Sequence, residues 1–315
     1  MKGLTDIPGI RVGHVSDFDA ITGCTAILCE PGAVAGVDIR GSASGTEEIE
    51  TLDPGHVTEQ IHGILLAGGS AFGLEAASGV RRYLEHKGTG FDTGVAKVPI
   101  VPAAILYDLG IGKAGVRPTL SMGEAAAAAA NDGPVAEGSV GAGAGATVGK
   151  ILGMKQAMKS GIGCWTVALP SGVLVASLVA VNAFGDVRDP LTGKIVAGAR
   201  KTADGKEFAD TEELMKLRAP AGFGGRNTTL AVVATNARLT KVQARKLAQF
   251  ASLGMARTIY PVNTTFDGDT VFALSLGNHA ADLNTLGVAA AESLSAAILR
   301  AVRLAKTLGG VPGLA

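Results

Sequence analysis

The run Thr229-Leu230-Ala231-Val232-Val233-Ala234-Thr235 constrains this chain more than any other stretch. It is short, apolar and rich in β-branched residues, and it reads as a buried strand. Gly224-Gly225-Arg226-Asn227-Thr228 leads into it, so two glycines and an Arg-Asn pair run straight into two adjacent hydroxyls. A Gly-rich turn feeding a core strand accounts for that pattern. A second reading is chemical: the Asn227–Thr228 bond is one the chain cuts in itself, leaving Thr228 as a new N-terminus at the mouth of the strand. A threonine hydroxyl is a poor nucleophile until a base takes its proton, and the α-amine freed by such a cut is a base on the same residue. With a pKa of about 7.7–8.0 it serves near neutral pH.

The rest of the chain supplies a core for that strand. Of 315 residues, 47% are hydrophobic and 18% charged, enough for one large domain or two ordinary ones. Lysine plus arginine equals aspartate plus glutamate at 28 each, and aromatics are 4%, so neither a basic surface nor a base-stacking one points to nucleic acid. The 45 glycines follow no fixed repeat and predict close backbone packing and many tight turns. Cys24, Cys29 and Cys164 are an odd number without a CxxC pair, which reads as free thiols in a reducing compartment. The first residues lack the apolar core of a signal peptide, and Pro170-Ser171-Gly172 breaks the apolar stretch 162–183 into a hairpin. These features predict a soluble cytoplasmic protein with no nucleic-acid and no membrane partner.

In chain order, strands are expected at 9–15, 23–29 and 33–39, the last two joined by a Pro31-Gly32 turn. His56 and His62, with Glu59 between them, lack HExxH spacing and a third ligand, so no metal is expected. Residues 64–67 run into Gly68-Gly69-Ser70-Ala71-Phe72-Gly73 and a helix to about residue 85, a strand–turn–helix whose N–H groups can face a ligand. A GxSxG elbow would need glycine where Phe72 stands, so Gly69 and Ser70 are read as turn and substrate-binding residues, with a Ser70 nucleophile second. Ser121-Met122-Gly123-Glu124 predicts a capping box before a six-alanine helix. The glycine–alanine run 138–150 fails both the Walker A and the dinucleotide patterns. It reads as a loop, with Gly143 and Ala144 at its middle, against which a backbone or a substrate packs, and with Lys150 beside it. Residues 194–221 read as an exposed linker, Thr240-Lys241-Val242-Gln243 as a capping box, and 284–308 as the terminal helix. Asp267-Gly268-Asp269 reads first as a hairpin turn; alternatively, two carboxylates just before a strand orient the Thr228 hydroxyl and amine.

Taken together, residues 6–14, 68–73, 98–104, 141–150, Val181-Asn182-Ala183, Asn227-Thr228-Thr229 and 266–270 resemble the L-aminopeptidase/D-amino-acid esterase family, with its β-peptidyl aminopeptidases and nylon-oligomer hydrolases. The resemblance runs nearly the whole chain in order. It implies an α+β fold, a four-layer αββα sandwich of N-terminal-nucleophile type forming one domain over 1–315. It further implies self-cleavage into an α chain (1–227) and a β chain (228–315), a homo-oligomer (a tetramer-like assembly of αβ units), and no metal or other cofactor. Thr228 matches the family nucleophile, Asp267 and Asp269 its acidic partners, and Tyr107, Lys150 and Asn182 the tyrosine, lysine and asparagine of the nylon-hydrolase branch. Asn-Thr and Asp-Gly-Asp place this chain nearer that amide-hydrolase branch than the serine peptidases.

The expected chemistry is acyl transfer through a Thr228 ester, first within the chain and then with a small peptide, amide or ester substrate, Lys150 and Asn182 stabilising the oxyanion. Two alternatives stay open. One is an acyltransferase of the arginine-pathway acetyltransferase type, which passes the same acyl group to an amine. The other is a non-catalytic binding protein that keeps the fold.

Overall fold

A computed structural model of the protein describes residues 2–217 and 227–315. Nine strands form its main sheet: β1 (Arg11–Asp17), β2 (Thr22–Ile39), β3 (Gly45–Glu47), β4 (Ile61–Ala67), β5 (Ala103–Ile105), β6 (Ile162–Ala168), β7 (Leu174–Asn182), β8 (Thr228–Ala237) and β9 (Thr270–His279). Their hydrogen-bonded order is β6-β7-β8-β9-β2-β4-β5-β3, with β1 on β2. The pairs β8–β9 and β4–β5 are parallel and the other pairs antiparallel.

Alternation along the strands turns this sheet into layers. On β8, Leu230, Val232 and Ala234 share one buried cluster with Ile27, Ile64 and Leu66 of β2 and β4, so the two halves of the sheet face each other. Ala231 and Val233 point the other way, onto α4 (Lys241–Thr258) and α5 (Leu283–Arg303) through Leu247, Met255 and Leu294. Cys24, Ala26 and Leu65, on the outer face of the other half, pack on α1 (Glu75–His86) and α2 (Leu120–Ala128) through Val80, Leu84 and Ala126. The result is the four-layer αββα sandwich. The predicted hairpin is β6–β7, and all three cysteines are free and buried.

Several expectations need correction. Residues 23–29 and 33–39 are not two strands: β2 runs unbroken for 18 residues. Its register with β4 shifts between Leu28 and Ala33, where its neighbours change: residues 22–28 lie between β1 and β4, and residues 34–39 pair with β9. Pro31 and Gly32 therefore bend a strand rather than end it. The α2 cap is Thr119, whose hydroxyl accepts from the Met122 N–H, two residues before the expected Ser121. The terminal helix stops at Arg303, five residues short. Much of the stretch expected as an exposed linker is packed: Ile195–Ala197 pairs with Asp186–Arg188, Ala197 and Ala199 are buried, and the Asp186 carboxylate accepts from Ala199 and from Thr211, the first residue of α3 (Thr211–Leu217). Gly224 and Gly225, expected as part of a turn leading into Thr228, lie outside the described residues.

Candidate active site

Strand direction assembles the site. Because β8 and β9 run parallel, Thr228 at the start of one lies beside Asp267-Gly268-Asp269, just before the other, and an isolated bridge joins Asn227 to Asp267. Because β7 runs antiparallel to β8, its last residue, Asn182, is paired with Thr228. Directly opposed residues project on one face, so both side chains lie on the inter-sheet side with Leu230 and Ala180, while Thr229 points to the helix side. The short strand Thr147–Val148 ends in Gly149 and Lys150, whose N–H groups donate to Gly185 and Phe184 at 3.0 Å each and bring the lysine alongside.

Thr228 is 2% exposed, and its hydroxyl donates to the carbonyl of Asn227, the oxygen of the bond expected to be cut. The Gly268 N–H donates to that same oxygen at 2.8 Å. A Cβ at position 268 would stand 2.8 Å from the Thr228 hydroxyl oxygen and 2.5 Å from the Ala43 carbonyl, so only glycine fits there. Asp267 accepts from the Phe184 N–H at 3.1 Å and from Thr264; Asp269 accepts from the N–H groups of Thr229 at 2.6 Å and Asn263 at 3.0 Å. The two carboxylates thus fix the backbone around Thr228, while the hydroxyl itself is bonded to the Asn227 carbonyl.

Lys150 donates to Asn182 Oδ1 at 2.6 Å and to its carbonyl at 3.0 Å, and the Asn182 amide donates to the Tyr107 carbonyl at 3.0 Å. Lys150 keeps some exposed surface, but its ammonium is enclosed, and burial draws its pKa down to about 7 against the opposing pull of Asp267 and Asp269. Burial, and then the charge of Asp267, push Asp269 up to about 7. Asp267 is raised as well, by burial, with Thr264, Phe184 and Lys150 holding it back.

Six expected residues therefore converge: Thr228, Asp267, Asp269, Lys150, Asn182 and, through its carbonyl, Tyr107. Gly69 and Ser70 form the expected turn, their N–H groups bonded to Asp108 and to the Leu106 carbonyl. Gly143 and Ala144 are buried, the Gly143 carbonyl accepting from Lys159 and the Ala144 N–H donating to Gly141. His56 and His62 each accept a backbone N–H, from Thr58 and Ile100. The Gly268 N–H went unread in the sequence; its signal is the absence of a side chain between two acids. A cleft of about 760 Å³ lined by Arg238, Lys241, Gln243 and Ser275 lies at the other end of β8 and holds none of this chemistry.

A family pattern described as peptidase family S58 matches residues 2–315. The chain belongs to peptidase family S58. This S58 chain is 39% identical to an uncharacterized aminopeptidase of Mycobacterium tuberculosis, over 99% of this chain and 96% of that protein. It is 31% identical to a 6-aminohexanoate-oligomer endohydrolase of Paenarthrobacter ureafaciens, over 94% and 84%. Among solved structures, a Burkholderia β-aminopeptidase superposes with a TM-score of 0.71 at 23% identity, covering 100% of this chain and 91% of that one. The L-aminopeptidase D-Ala-esterase/amidase of Ochrobactrum anthropi, described as a variant of the Ntn-hydrolase fold, gives 0.75 at 19% identity over 99% and 88%. The S58 chain is accordingly a hydrolase with an Ntn-type fold.

Proposed function

We propose that this chain is a self-processing amidohydrolase whose nucleophile is Thr228, acting through an acyl-enzyme on amide or ester bonds of small peptides or amino-acid derivatives in the cytoplasm. The observation that carries the reading is the pair of donors on one oxygen: the Thr228 hydroxyl and the Gly268 N–H both meet the Asn227 carbonyl. A donor fixed on a carbonyl stabilises the negative charge that grows there on attack. In the first step the Thr228 hydroxyl oxygen bonds to the Asn227 carbonyl carbon. The C–N bond then breaks, the nitrogen takes the proton and becomes the Thr228 amine, and an ester remains. Water cleaves that ester, giving a carboxylate on Asn227 and a free Thr228. In the mature enzyme the Thr228 amine takes the hydroxyl proton, substrate replaces Asn227 on the hydroxyl, and Lys150 and Asn182 supply charge and an amide donor to the oxyanion.

The Asn-Thr junction and the two aspartates resemble the amide-hydrolase branch, and the relatives named as an aminopeptidase and as an oligomer endohydrolase both support an amidohydrolase or aminopeptidase that cleaves amide bonds. Intact-mass analysis of the purified protein tests the reading. Two fragments, the second beginning at Thr228, are expected; a single stable full-length species that hydrolyses no amide in a broad panel would refute it.

A further inference from the structure

Among the charged side chains buried outside the convergent residues, Lys159 and Asp108 both stand against one loop that runs into the site. Lys159 is wholly buried, and its ammonium donates to the carbonyls of Ala146 at 2.8 Å, Ser160 at 2.8 Å and Gly143 at 3.2 Å. Three acceptors match the three N–H bonds of an ammonium; a neutral amine has two and would turn its lone pair on a carbonyl oxygen. Asp108 stands against the same loop at Gly145. It accepts from the Gly69 N–H and the Thr22 hydroxyl at 2.7 Å each, and a Cβ on Gly145 would stand 2.4 Å from the Asp108 Cβ. The loop at 143–146 is held by Lys159 at two of its carbonyls and packs on Asp108 at Gly145.

That clamp ends on the site. The Ala146–Thr147 peptide presents its oxygen to Lys159 and its N–H to Asn182 Oδ1, at 3.1 Å. A cation at the carbonyl end of a peptide makes its N–H a stronger donor. Lys150 reaches the same Oδ1, so the Asn182 amide is held with its oxygen toward the loop and the lysine and its nitrogen toward the Tyr107 carbonyl. We propose that Lys159 is a positioning residue: by pinning the Ala146 carbonyl it sets the orientation of the Asn182 amide and the placement of Lys150 for attack at Thr228. This inference rests on the proposed function.

The molecule carries its own control. Lys241, buried at the start of α4 and beyond the far end of β8 from Thr228, donates to the carbonyls of Thr51 and Thr58 at 2.9 Å each and of His56 at 3.5 Å. It makes the same kind of clamp where no chemistry is expected. The charged groups facing Lys150 are Asp267, Asp269, Asp108 and Lys159. Burial lowers the Lys159 pKa to about 7 and raises that of Asp108, so Lys159→Met takes away a positive neighbour where that ammonium is protonated, and Asp108→Asn takes away a negative one where that carboxyl is ionised.

The test compares wild type with Lys159→Met, Lys241→Met and Asp108→Asn, following melting temperature, the rate of appearance of the fragment beginning at Thr228, and that rate against pH. Both methionine variants should melt lower. Lys159→Met alone should slow processing, by about 10- to 100-fold for a misplaced catalytic group, and move the high-pH limb of the coupled set, to which Lys150 contributes, to higher pH. Asp108→Asn should move that limb to lower pH, which reads the same network should Lys159→Met not fold. Equal slowing by both methionine variants, or an unmoved limb in Lys159→Met and Asp108→Asn, would overturn the assignment. A wild type that neither cuts itself nor hydrolyses amides removes the functional reading, and this one with it.

Discussion

At the residue scale, two adjacent hydroxyls compete for one role, and the pleat separates them. Thr228 faces the inter-sheet layer beside Asn182, while Thr229 faces the helices and gives its N–H to Asp269. Thr228→Ala should abolish the fragment beginning at 228 and all turnover, whereas Thr228→Ser, which keeps the hydroxyl, should retain part of both. Thr229→Val should process normally and change stability by no more than about 1 kcal/mol; N-terminal sequencing of the product decides between the two positions. Charge sets a second expectation. Ionised Asp269 accepts an N–H on each oxygen, from Thr229 and Asn263, and sets a negative charge beside Lys150; protonation removes that charge, so processing should fall as pH drops through its raised value of about 7. The Lys150 ammonium is lost as pH rises through its lowered value of about 7. Initial processing rates should therefore trace a narrow bell near neutral pH, with limbs that belong to the coupled set rather than to either residue. A rate unchanged across that range would remove these two groups from the mechanism.

Elements explain what the sequence disclosed and what it kept back. The strand at 229–235 was legible because its β-branched run has no other use, and Asp267-Gly268-Asp269 because turn residues there immediately precede another apolar run. Lys159 was not: in Met158-Lys159-Ser160-Gly161 it looks like any surface lysine, since that side chain is almost never fully buried unless paired. Nor could spacing reveal that β2 continues through Pro31-Gly32, because the partners that keep it extended, β4 and β9, are distant in sequence. The abundance of glycine did foretell close packing, and α1 against α2 shows it. A Cβ on Gly79 would meet the Leu120 carbonyl at 1.9 Å, and one on Gly123 the Ala76 carbonyl at 1.8 Å. Gly123→Ala should cost about 1–3 kcal/mol through overpacking. Its melting temperature should fall while processing persists, because this layer lies outside the contacts made by Thr228.

Across the whole molecule, the position of the proposed cut matters more than its chemistry. Residues 228–315 supply β8, β9, α4 and α5, and their two strands lie between β7 and β2 of the preceding segment. Val232, Ala234 and Phe272 are shared with the inter-sheet core, and Ala231 and Val233 with the helix layer. The two products should therefore co-elute in size-exclusion chromatography and part only in denaturant; separation under native conditions would contradict the interleaved order. The interleaving also changes the reaction order of folding. Before the cut, the central strands find their places within one chain, at a rate independent of concentration. Afterwards the same sheet can be rebuilt only by two chains meeting, so recovery from denaturant should become second order, and a dilute sample, once unfolded, should not return.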